Sequence, residues 1–225
     1  MPKGIVTGAS RGLGRVLAQE LARRDWQLVV DARGAELLGR SWTGVAGVVT
    51  IAGDVTDADH RRALIEAVEG PIDVIVNNAS VLGPSPQPPL NAYPLDVLRH
   101  VYEVNVIAPL ALVQLALPIL APTARILNVT SDAAVEPYEG WGGYGSSKAA
   151  LDHMSATLAT EQPEVRVYAV DPGDMRTHLQ QEAFPDEDIS DRPLPEESVP
   201  GLLALIEGEL PSGRYLAREL AGVAA

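Results

Sequence analysis

The sequence predicts an α/β protein with a doubly wound parallel β-sheet of about seven strands and helices on both faces. Short apolar runs of strand length alternate with segments of helical spacing along the 225 residues. Crossover helices join the strands of a parallel sheet in this order. The first strand also runs directly into a glycine-rich turn that opens a helix, as in phosphate-binding βα units. Because the sequence shows no internal repeat and no linker, we expect a single domain over residues 1–225.

The composition limits the possible functions. A hydrophobic content of 46% and a charged content of 21% are typical of globular proteins. The net charge of −13 argues against a nucleic-acid partner, because phosphate backbones would be repelled. The chain has no cysteine and its four histidines are scattered, so no metal site is predicted. It enters an apolar run at once, without a signal peptide, which predicts a cytoplasmic protein.

The first strand, residues 3–7, is short and apolar, and the first helix follows at 15–24. The turn between them, 7–14, has the spacing GxxxGxG. Glycines let a ligand approach the backbone, and the free N–H groups of a helix N-terminus attract negative charge. Such a motif is weak alone, but its position between a strand and a helix is the one that a phosphate site requires.

The second strand, 26–31, ends at a point that commonly decides which nicotinamide cofactor binds. An acidic residue there accepts from a ribose 2′-OH, whereas an arginine holds a 2′-phosphate. Asp31 and Arg33 are both present, so the local signal is mixed. The third strand, 45–52, leads to Asp54, a candidate acceptor for an adenine amine.

A helix is predicted at 57–69 from its apolar spacing, with Thr56 as its N-cap. The fourth strand, 72–76, is followed by a loop rich in proline at 83–94, on the edge of the sheet where ligands gather. A long apolar helix at 95–120 carries Asn105, which needs hydrogen-bond partners if it is buried. Its polar residues and two prolines favour a buried helix over a membrane span.

The fifth strand, 125–130, delivers Ser131 at its carboxyl end, and a helix running to about residue 160 carries Tyr144 and Lys148. Four positions apart on a helix, these two side chains lie on one face. An ammonium group favours the phenolate form of a neighbouring tyrosine, which suits it to proton transfer. Of six tyrosines, only Tyr144 has a lysine four positions on. The chain has two lysines against fifteen arginines.

The remaining elements are a sixth strand at 165–170, a helix at 196–208 and a short strand at 213–216. Each strand is a short apolar run, and the helix is apolar throughout most of its length. The acidic, proline-containing segment 174–195 interrupts this pattern. We expect it to form a mobile lid over a substrate pocket.

Taken together, these motifs resemble the short-chain dehydrogenase/reductase family of Rossmann-fold oxidoreductases over essentially the whole chain. The turn at 7–14 matches the family motif TGxxxGxG, and 77–80 matches NNAG with Ser80 in place of the glycine. Ser131 matches the family serine, at the family's separation from a YxxxK motif formed by Tyr144 and Lys148. Asn105 falls where the family keeps a catalytic asparagine.

The resemblance implies reduction of a carbonyl group by hydride transfer. Tyr144 would protonate the carbonyl oxygen while Ser131 polarises it. Lys148 would lower the pKa of Tyr144 and hold the nicotinamide ribose, and Asn105 would support Lys148 through a water. The residues that would contact the cofactor are Gly8, Ser10, Arg11, Gly12, Leu13, Gly14, Arg33, Asp54, Val55, Asn78, Ala79, Ser80, Tyr144, Lys148, Pro172, Gly173 and Thr177.

The cofactor prediction favours NADP(H), with NAD(H) as the alternative. Ala32 stands where family members that prefer NAD carry aspartate, and Arg33 follows it. Arg11 adds a second cation in the turn. Asp31 is the residue that would favour NAD, if it reaches the 2′-OH.

Two other functions remain open at this point: an NAD-dependent alcohol dehydrogenase and a nucleotide-binding regulator without catalysis. The intact Ser131, Tyr144, Lys148 and Asn105 argue against the regulator. The predicted partner is a small carbonyl or alcohol substrate, with no nucleic acid and no membrane. The resemblance also implies a homodimer or homotetramer.

Overall fold

A computed structural model of the chain describes residues 1–220 and Gly222. Within them, seven parallel strands form one sheet in the order β3-β2-β1-β4-β5-β6-β7. The order reverses direction between β1 and β4, which places a crevice at the carboxyl ends of these strands. The strands are β1 (Lys3–Val6), β2 (Gln27–Ala32), β3 (Val48–Ala52), β4 (Ile72–Asn77), β5 (Leu120–Val129), β6 (Arg166–Asp171) and β7 (Gly213–Leu216).

Helices cover both faces of the sheet, which confirms the predicted doubly wound arrangement. One face packs against α1, α2 and α8, and the other against α3, α5 and α6. The helices are α1 (Gly12–Arg23), α2 (Ala35–Trp42), α3 (Ala58–Glu66), α4 (Leu95–Tyr102), α5 (Ala108–Ala116), α6 (Gly142–Glu161), α7 (His178–Ala183), α8 (Val199–Glu207) and α9 (Ala217–Leu220).

The alternation of side chains along β2 shows why its sequence is apolar throughout. Leu28 and Val30 face the core under α1, whereas Val29 faces the opposite core under α3 and α5. Successive residues of a strand point to opposite faces, so a strand that is covered on both sides needs apolar residues at every position. The polar residue that ends this run, Asp31, is 1% exposed.

The structure differs from the prediction at several local points. Helix α2 was not predicted, because it is short and buries only Leu38 and Trp42. The N-cap of α3 is Asp57, whose side chain accepts from the Asp59 N–H, and not Thr56. Strand β5 begins at Leu120, five residues before its predicted start.

The long apolar helix is continuous from Leu95 to Ile119, with a π-helical turn at Glu103–Ile107 between α4 and α5. Its length and mean hydropathy of 1.5 would allow it to cross a membrane, and 44% of that apolar window is buried inside the protein. Leu112 and Ala116 pack against the sheet. This is the packing of a core helix.

Candidate active site

Two neighbouring cavities open at the carboxyl ends of the strands, with volumes of about 410 Å³ and 170 Å³. Gly14 and Asn105 lie outside their linings, and the other predicted site residues line one or both cavities. The larger cavity, called the catalytic cavity below, is lined by the predicted residues Arg11, Gly12, Leu13, Arg33, Asn78, Ser80, Ser131, Tyr144, Lys148, Pro172, Gly173 and Thr177. The smaller, called the nucleotide cavity, is lined by Gly8, Ser10, Arg11, Arg33, Asp54, Val55, Ala79 and Ser80.

The glycine-rich turn needs glycine for two physical reasons. Gly8 and Gly12 have φ angles of 70° and 57°, in the left-handed region that side chains with a Cβ disfavour. At Gly14 a Cβ would lie 2.3 Å from Asn78 Nδ2 and 2.7 Å from the Gly8 carbonyl oxygen. The Asn78 side chain and the backbone of the turn itself therefore leave no room for a Cβ at Gly14.

Asn78 ties this turn to β4. Its Nδ2 donates to the carbonyl oxygens of Thr7 and Gly8, at 2.8 and 3.2 Å. The Thr7 hydroxyl in return accepts from the N–H groups of Asn78 and Ala79, both at 3.0 Å. These bonds hold the N-terminus of α1 open toward the cavities, where its free N–H groups suit an anion.

The carboxylate of Asp31 links the glycine-rich turn to α3. Its Oδ1 accepts from the Gly8 N–H at 2.7 Å, and its Oδ2 lies 2.9 Å from His60 Nε2. Both side chains are buried, at 1% and 7% exposure. Asp31 also lines the nucleotide cavity, and Arg11 and Arg33 line both cavities. Two cations and one carboxylate are therefore presented to a ligand here, and the carboxylate also fixes the turn.

Asp54 and Val55 line the nucleotide cavity after β3. Asp54 Oδ1 accepts from the backbone N–H and the hydroxyl of Thr56, each at 2.8 Å. Although burial alone would raise it, the pKa of Asp54 is lowered overall, because these bonds and the charges of Arg33 and His100 favour the carboxylate. Asp54 is thus an ionised acceptor at this end of the site.

Tyr144 lies in the first turn of α6 and is 5% exposed. Close packing fixes this turn: a Cβ at Gly145 would lie 2.6 Å from the Ala133 carbonyl oxygen. Burial raises the pKa of the phenol, the charges of Asp171 and Asp132 raise it further, and the Ser80 hydroxyl opposes them. In the protein alone, the phenol is therefore held in its protonated form.

Lys148 is one turn further along α6 and is 2% exposed. Its Nζ donates to the Val129 carbonyl oxygen at 2.8 Å and lies 5.5 Å from the centre of the Tyr144 ring. Burial lowers the pKa of Lys148 to about 8, an effect that Asp152 partly opposes. The sequence prediction that Lys148 brings the pKa of Tyr144 below its ordinary value is not met here, because burial outweighs other effects on the phenol.

Ser131 follows β5 and caps a short turn at Asp132–Ala134. Its hydroxyl donates to Asp132 Oδ1 at 2.8 Å and accepts from the Ala133 N–H at 3.2 Å. The side chain lines the catalytic cavity beside Tyr144. A hydroxyl rotates freely, so this group can exchange its bond to Asp132 for one to a ligand oxygen.

Asn105 lies in the π-helical turn, is completely buried, and joins three segments of the site. Its Oδ1 accepts from the Val81 N–H at 2.9 Å and from the Ser80 hydroxyl at 3.1 Å. Its Nδ2 donates to the Val81 carbonyl oxygen at 2.9 Å and to the Ser147 hydroxyl at 3.0 Å. All four hydrogen-bonding positions of the amide are used. The side chain therefore clamps the segment after β4 to α6.

Sequence reasoning missed Arg214 of β7, which joins three parts of the site. Its guanidinium lies 3.0 Å from Asp152 Oδ2 and 3.3 Å from Asp171 Oδ2, and it donates to the Ser131 carbonyl oxygen at 3.0 Å. Asp171 Oδ1 accepts from the Gly173 N–H at 2.9 Å. No local pattern marks this residue, because its partners are 43 to 83 positions away in the sequence.

Sequence reasoning also missed Trp141, which lines the catalytic cavity three positions before Tyr144. The two ring centres are 5.9 Å apart at an interplanar angle of 73°. This edge-to-face arrangement is favourable for aromatic pairs. Leu82 and Leu179 complete an apolar group around the phenol. The feature of the sequence that could have identified Trp141 is its position, three residues before the predicted catalytic tyrosine.

The predicted lid segment covers one side of the catalytic cavity. Thr177 caps α7 by accepting from the Gln180 N–H at 3.3 Å, and it lines the cavity together with Pro172 and Gly173. Among the residues that the structure describes, no group of three or more histidine or acidic side chains is placed to hold a metal ion.

Comparisons with known proteins agree with this geometry. A sequence model of the short chain dehydrogenase family matches residues 4–188. Benzil reductase ((S)-benzoin forming) of Saccharomyces cerevisiae is 33% identical, over 79% of this chain and 73% of the relative. Sepiapterin reductase of Mus musculus is 33% identical, over 79% and 76%. A Shigella flexneri structure described as a short chain dehydrogenase complexed with NADP has a TM-score of 0.89 at 26% identity, covering 96% of this chain and 97% of that chain.

The matched region contains the glycine-rich turn, the strands β1 to β6 and the helix that carries Tyr144 and Lys148. It therefore includes both cavities and the residues around them. The family match covers well over half of the chain, and both relatives are named as reductases. The chain belongs to the short-chain dehydrogenase/reductase family and is an oxidoreductase of that family.

Proposed function

We propose that the protein is an NADPH-dependent reductase that converts a ketone or aldehyde to an alcohol, with Tyr144 as the proton donor. One observation carries the proposal. A buried, protonated phenol lines the same cavity as Lys148 and Ser131, and two arginines line that cavity and the neighbouring one. A proton donor for an oxygen and a cradle for a phosphorylated ligand therefore adjoin each other.

The residues around the cavities fit a dinucleotide cofactor. Gly8 and Gly12 have positive φ angles that favour glycine, and glycine has no side chain to obstruct the N-terminus of α1, where a diphosphate would bind. Asp54 would serve the adenine end. Arg11 and Arg33 supply the planar, bidentate donors that suit a 2′-phosphate. These features support NADP(H) over NAD(H).

The engagement of Asp31 also supports NADP(H). An NAD-preferring site needs a carboxylate that is free to accept from the ribose 2′-OH. Asp31 instead accepts from the Gly8 N–H and pairs with His60. A ribose 2′-OH would therefore have to share the carboxylate with these two partners.

When bound, the cofactor supplies a hydride to the carbonyl carbon. Tyr144 then donates its proton to the carbonyl oxygen as that oxygen becomes an alkoxide. The Ser131 hydroxyl would bind the same oxygen and polarise it. The phenol is in the donor form at neutral pH, and burial, which raises the pKa of Tyr144, keeps it so over a wider pH range.

Lys148 would act on the phenolate that remains after proton transfer. Its pKa of about 8 leaves the ammonium mostly charged at neutral pH. A positive charge on the same helix face stabilises a developing negative charge in a site from which water is excluded. The expected lowering of the Tyr144 pKa therefore belongs to the reacting complex, where Lys148 exchanges the Val129 carbonyl for new partners. In that complex we also propose that it binds the nicotinamide ribose.

Asn105 would support Lys148 as a positioning residue. Its amide holds Ser80 and Val81 on one side and Ser147, next to Lys148, on the other. The proposed water between Asn105 and Lys148 would have to use the backbone of Asn105, since its amide has no free position.

We further propose that segment 174–195 is a lid and belongs to the same domain as the rest of the chain. A separate proposal concerns assembly: we propose that the chain is a cytoplasmic homodimer or homotetramer. Ile107, Leu115 and Ile119 are 37 to 46% exposed on the long helix, which favours contact with a second copy. The small residues Ala149 and Ala150 on α6 would allow close helix packing. Sedimentation of the purified protein tests this: a monomer at micromolar concentration would overturn it.

The reductase proposal is tested by measuring NADPH oxidation with a panel of ketones, aldehydes and diketones, for the natural protein and for Tyr144→Phe. We expect turnover that falls about 10²- to 10⁴-fold in the variant, which is the usual contribution of a general acid. NADPH binding, followed by fluorescence, should persist in Tyr144→Phe. Undiminished turnover in this variant would overturn the mechanism.

A further inference from the structure

The substrate end of the catalytic cavity has an aromatic wall. Trp141 lines the cavity, and its ring centre lies 5.9 Å from Tyr144 and 5.8 Å from Phe184. Leu82 and Leu179 pack with Trp141 around the phenol. A flat ligand beside Tyr144 would therefore meet an aromatic side chain and aliphatic side chains, which favours an aryl group.

The rim of the same end carries carboxylates. Asp132, Asp174 and Glu182 line the cavity. Asp132 binds the hydroxyls of Ser131 and Tyr138, and its charge raises the pKa of Tyr144. The carboxylate of Asp132 is therefore close enough to the phenol to act on its charge, and Asp174 lines the same cavity.

Of the cationic side chains near this rim, Arg176 donates to the Ser190 carbonyl oxygen and is not part of the cavity lining. His178 Nδ1 lies 3.3 Å from Glu182 Oε1, and the imidazole carries charge only when it is protonated. Arg11 and Arg33 line the nucleotide cavity as well, so they belong to the cofactor end of the site. Lys148 is buried and would act on the phenol. The nucleotide cavity thus has two arginines beside the carboxylates of Asp31 and Asp54, whereas carboxylates predominate at the rim where the substrate would enter.

Building on the proposed reductase function, we propose that the substrates are aryl ketones whose distal substituent is neutral or positively charged, and that the carboxylate rim rejects substrates bearing a carboxylate. Trp141 would contact the aryl ring, and Asp174 and Glu182 would set the preference for charge. The cavity volume of about 410 Å³ is near the lower end for small-molecule sites, which favours one aromatic ring beside the nicotinamide.

The test uses acetophenones with three para substituents that differ in charge. A trimethylammoniomethyl group and a neopentyl group have the same shape, and a carboxymethyl group carries the opposite charge. The methylene carbon insulates the ketone from the electronic effect of each group. We expect kcat/KM with NADPH to be at least about tenfold higher for the cationic than for the anionic ketone, from two carboxylates acting through partly solvated space. Because the rim is exposed, the ratio should shrink at high salt.

Variants of the rim residues test whether these carboxylates cause the preference for the cationic ketone. In Asp174→Asn combined with Glu182→Gln, the ratio of cationic to anionic kcat/KM should fall several-fold. Glu161→Gln, an exposed acid at the end of α6, serves as the control for net charge and should leave the ratio unchanged. Trp141→Leu should raise KM for the neopentyl ketone about tenfold and for butanone little, and Trp141→Phe should restore the aryl preference.

The outcomes separate this inference from the reductase proposal. Turnover of the neutral ketone with equal kcat/KM for the cationic and anionic ketones overturns the charge preference and leaves the reductase proposal standing. An unchanged KM for the neopentyl ketone in Trp141→Leu overturns the role of Trp141. No turnover of any ketone, butanone included, overturns both proposals.

Discussion

Replacing Lys148 with methionine should make the protein without cofactor more stable at neutral pH. Burial lowers the pKa of Lys148 from 10.5 to about 8, which corresponds to roughly 3 kcal/mol of penalty on the charged form. Methionine has a similar length and no charge, but it leaves the Val129 carbonyl oxygen without the donor that lies 2.8 Å away. Losing that bond costs about 1–2 kcal/mol. We therefore expect the free energy of unfolding to rise by about 1–2 kcal/mol at pH 7.

The sign of this difference should reverse at alkaline pH. Between pH 8 and 10.5 the unfolded chain binds more protons at Lys148 than the folded chain does, so the stability of the natural protein rises with pH in this window. The variant lacks this contribution. From pH 7 to pH 10 its stability relative to the natural protein should therefore fall by about 2–3 kcal/mol.

Urea denaturation of both proteins at pH 7 and pH 10 measures these quantities. Comparing the two proteins at each pH removes the contribution of groups that they share, Tyr144 among them. Lys3→Met, which removes the other lysine of the chain, controls for the loss of a lysine. If Lys148→Met differs from the natural protein by the same free energy at both pH values, burial does not lower the pKa of Lys148 and the reasoning fails.

Four further predictions concern the site. Arg33→Asp should reduce kcat/KM with NADPH at least tenfold and raise the preference for NADH, since the donor for a 2′-phosphate becomes an acceptor; an unchanged ratio of the two cofactors would contradict the role of Arg33. Ser131→Ala should lower kcat about 10²-fold with little effect on NADPH binding, and a change in binding alone would count against it. Asp171→Asn should move the alkaline limb of the pH profile for reduction to lower pH, because the Asp171 charge helps to raise the pKa of Tyr144; a limb that stays in place would exclude this coupling. Gly14→Ala should lower the free energy of unfolding by about 1–3 kcal/mol and weaken NADPH binding, because its Cβ would lie 2.3 Å from Asn78 Nδ2; a stable variant that binds NADPH normally would show that the turn can open.

The strands and most helices were predictable because the sheet is covered on both faces. Every residue of β2 before Asp31 must then be apolar apart from its first, and such a run is easy to recognise. Helix α2 could not be predicted in this way, because Leu38 and Trp42 are its only buried positions and Leu37 is 44% exposed. Periodicity also cannot distinguish the π-helical turn around Asn105 from ordinary helix, because the apolar residues on either side continue the pattern.

The site residues that belong to a local motif could be predicted from the sequence. Their charge states could not. The spacing of Tyr144 and Lys148 predicts a shared helix face, but burial decides the pKa values and Val129 supplies the hydrogen bond to Lys148. The role of Asp31 depended on His60, which comes from α3. Arg214 meets its partners only through the order of strands β5, β6 and β7. These properties arise from tertiary contacts.

The most direct test of the central claim is the oxidation of NADPH and NADH, measured in parallel with the natural protein and one neutral aryl ketone. The account predicts turnover with a kcat/KM for NADPH at least tenfold above that for NADH. It requires that Arg11 and Arg33 hold the 2′-phosphate while Asp31 stays with Gly8 and His60. Faster turnover with NADH would mean that Asp31 reads the ribose instead, and would contradict the account.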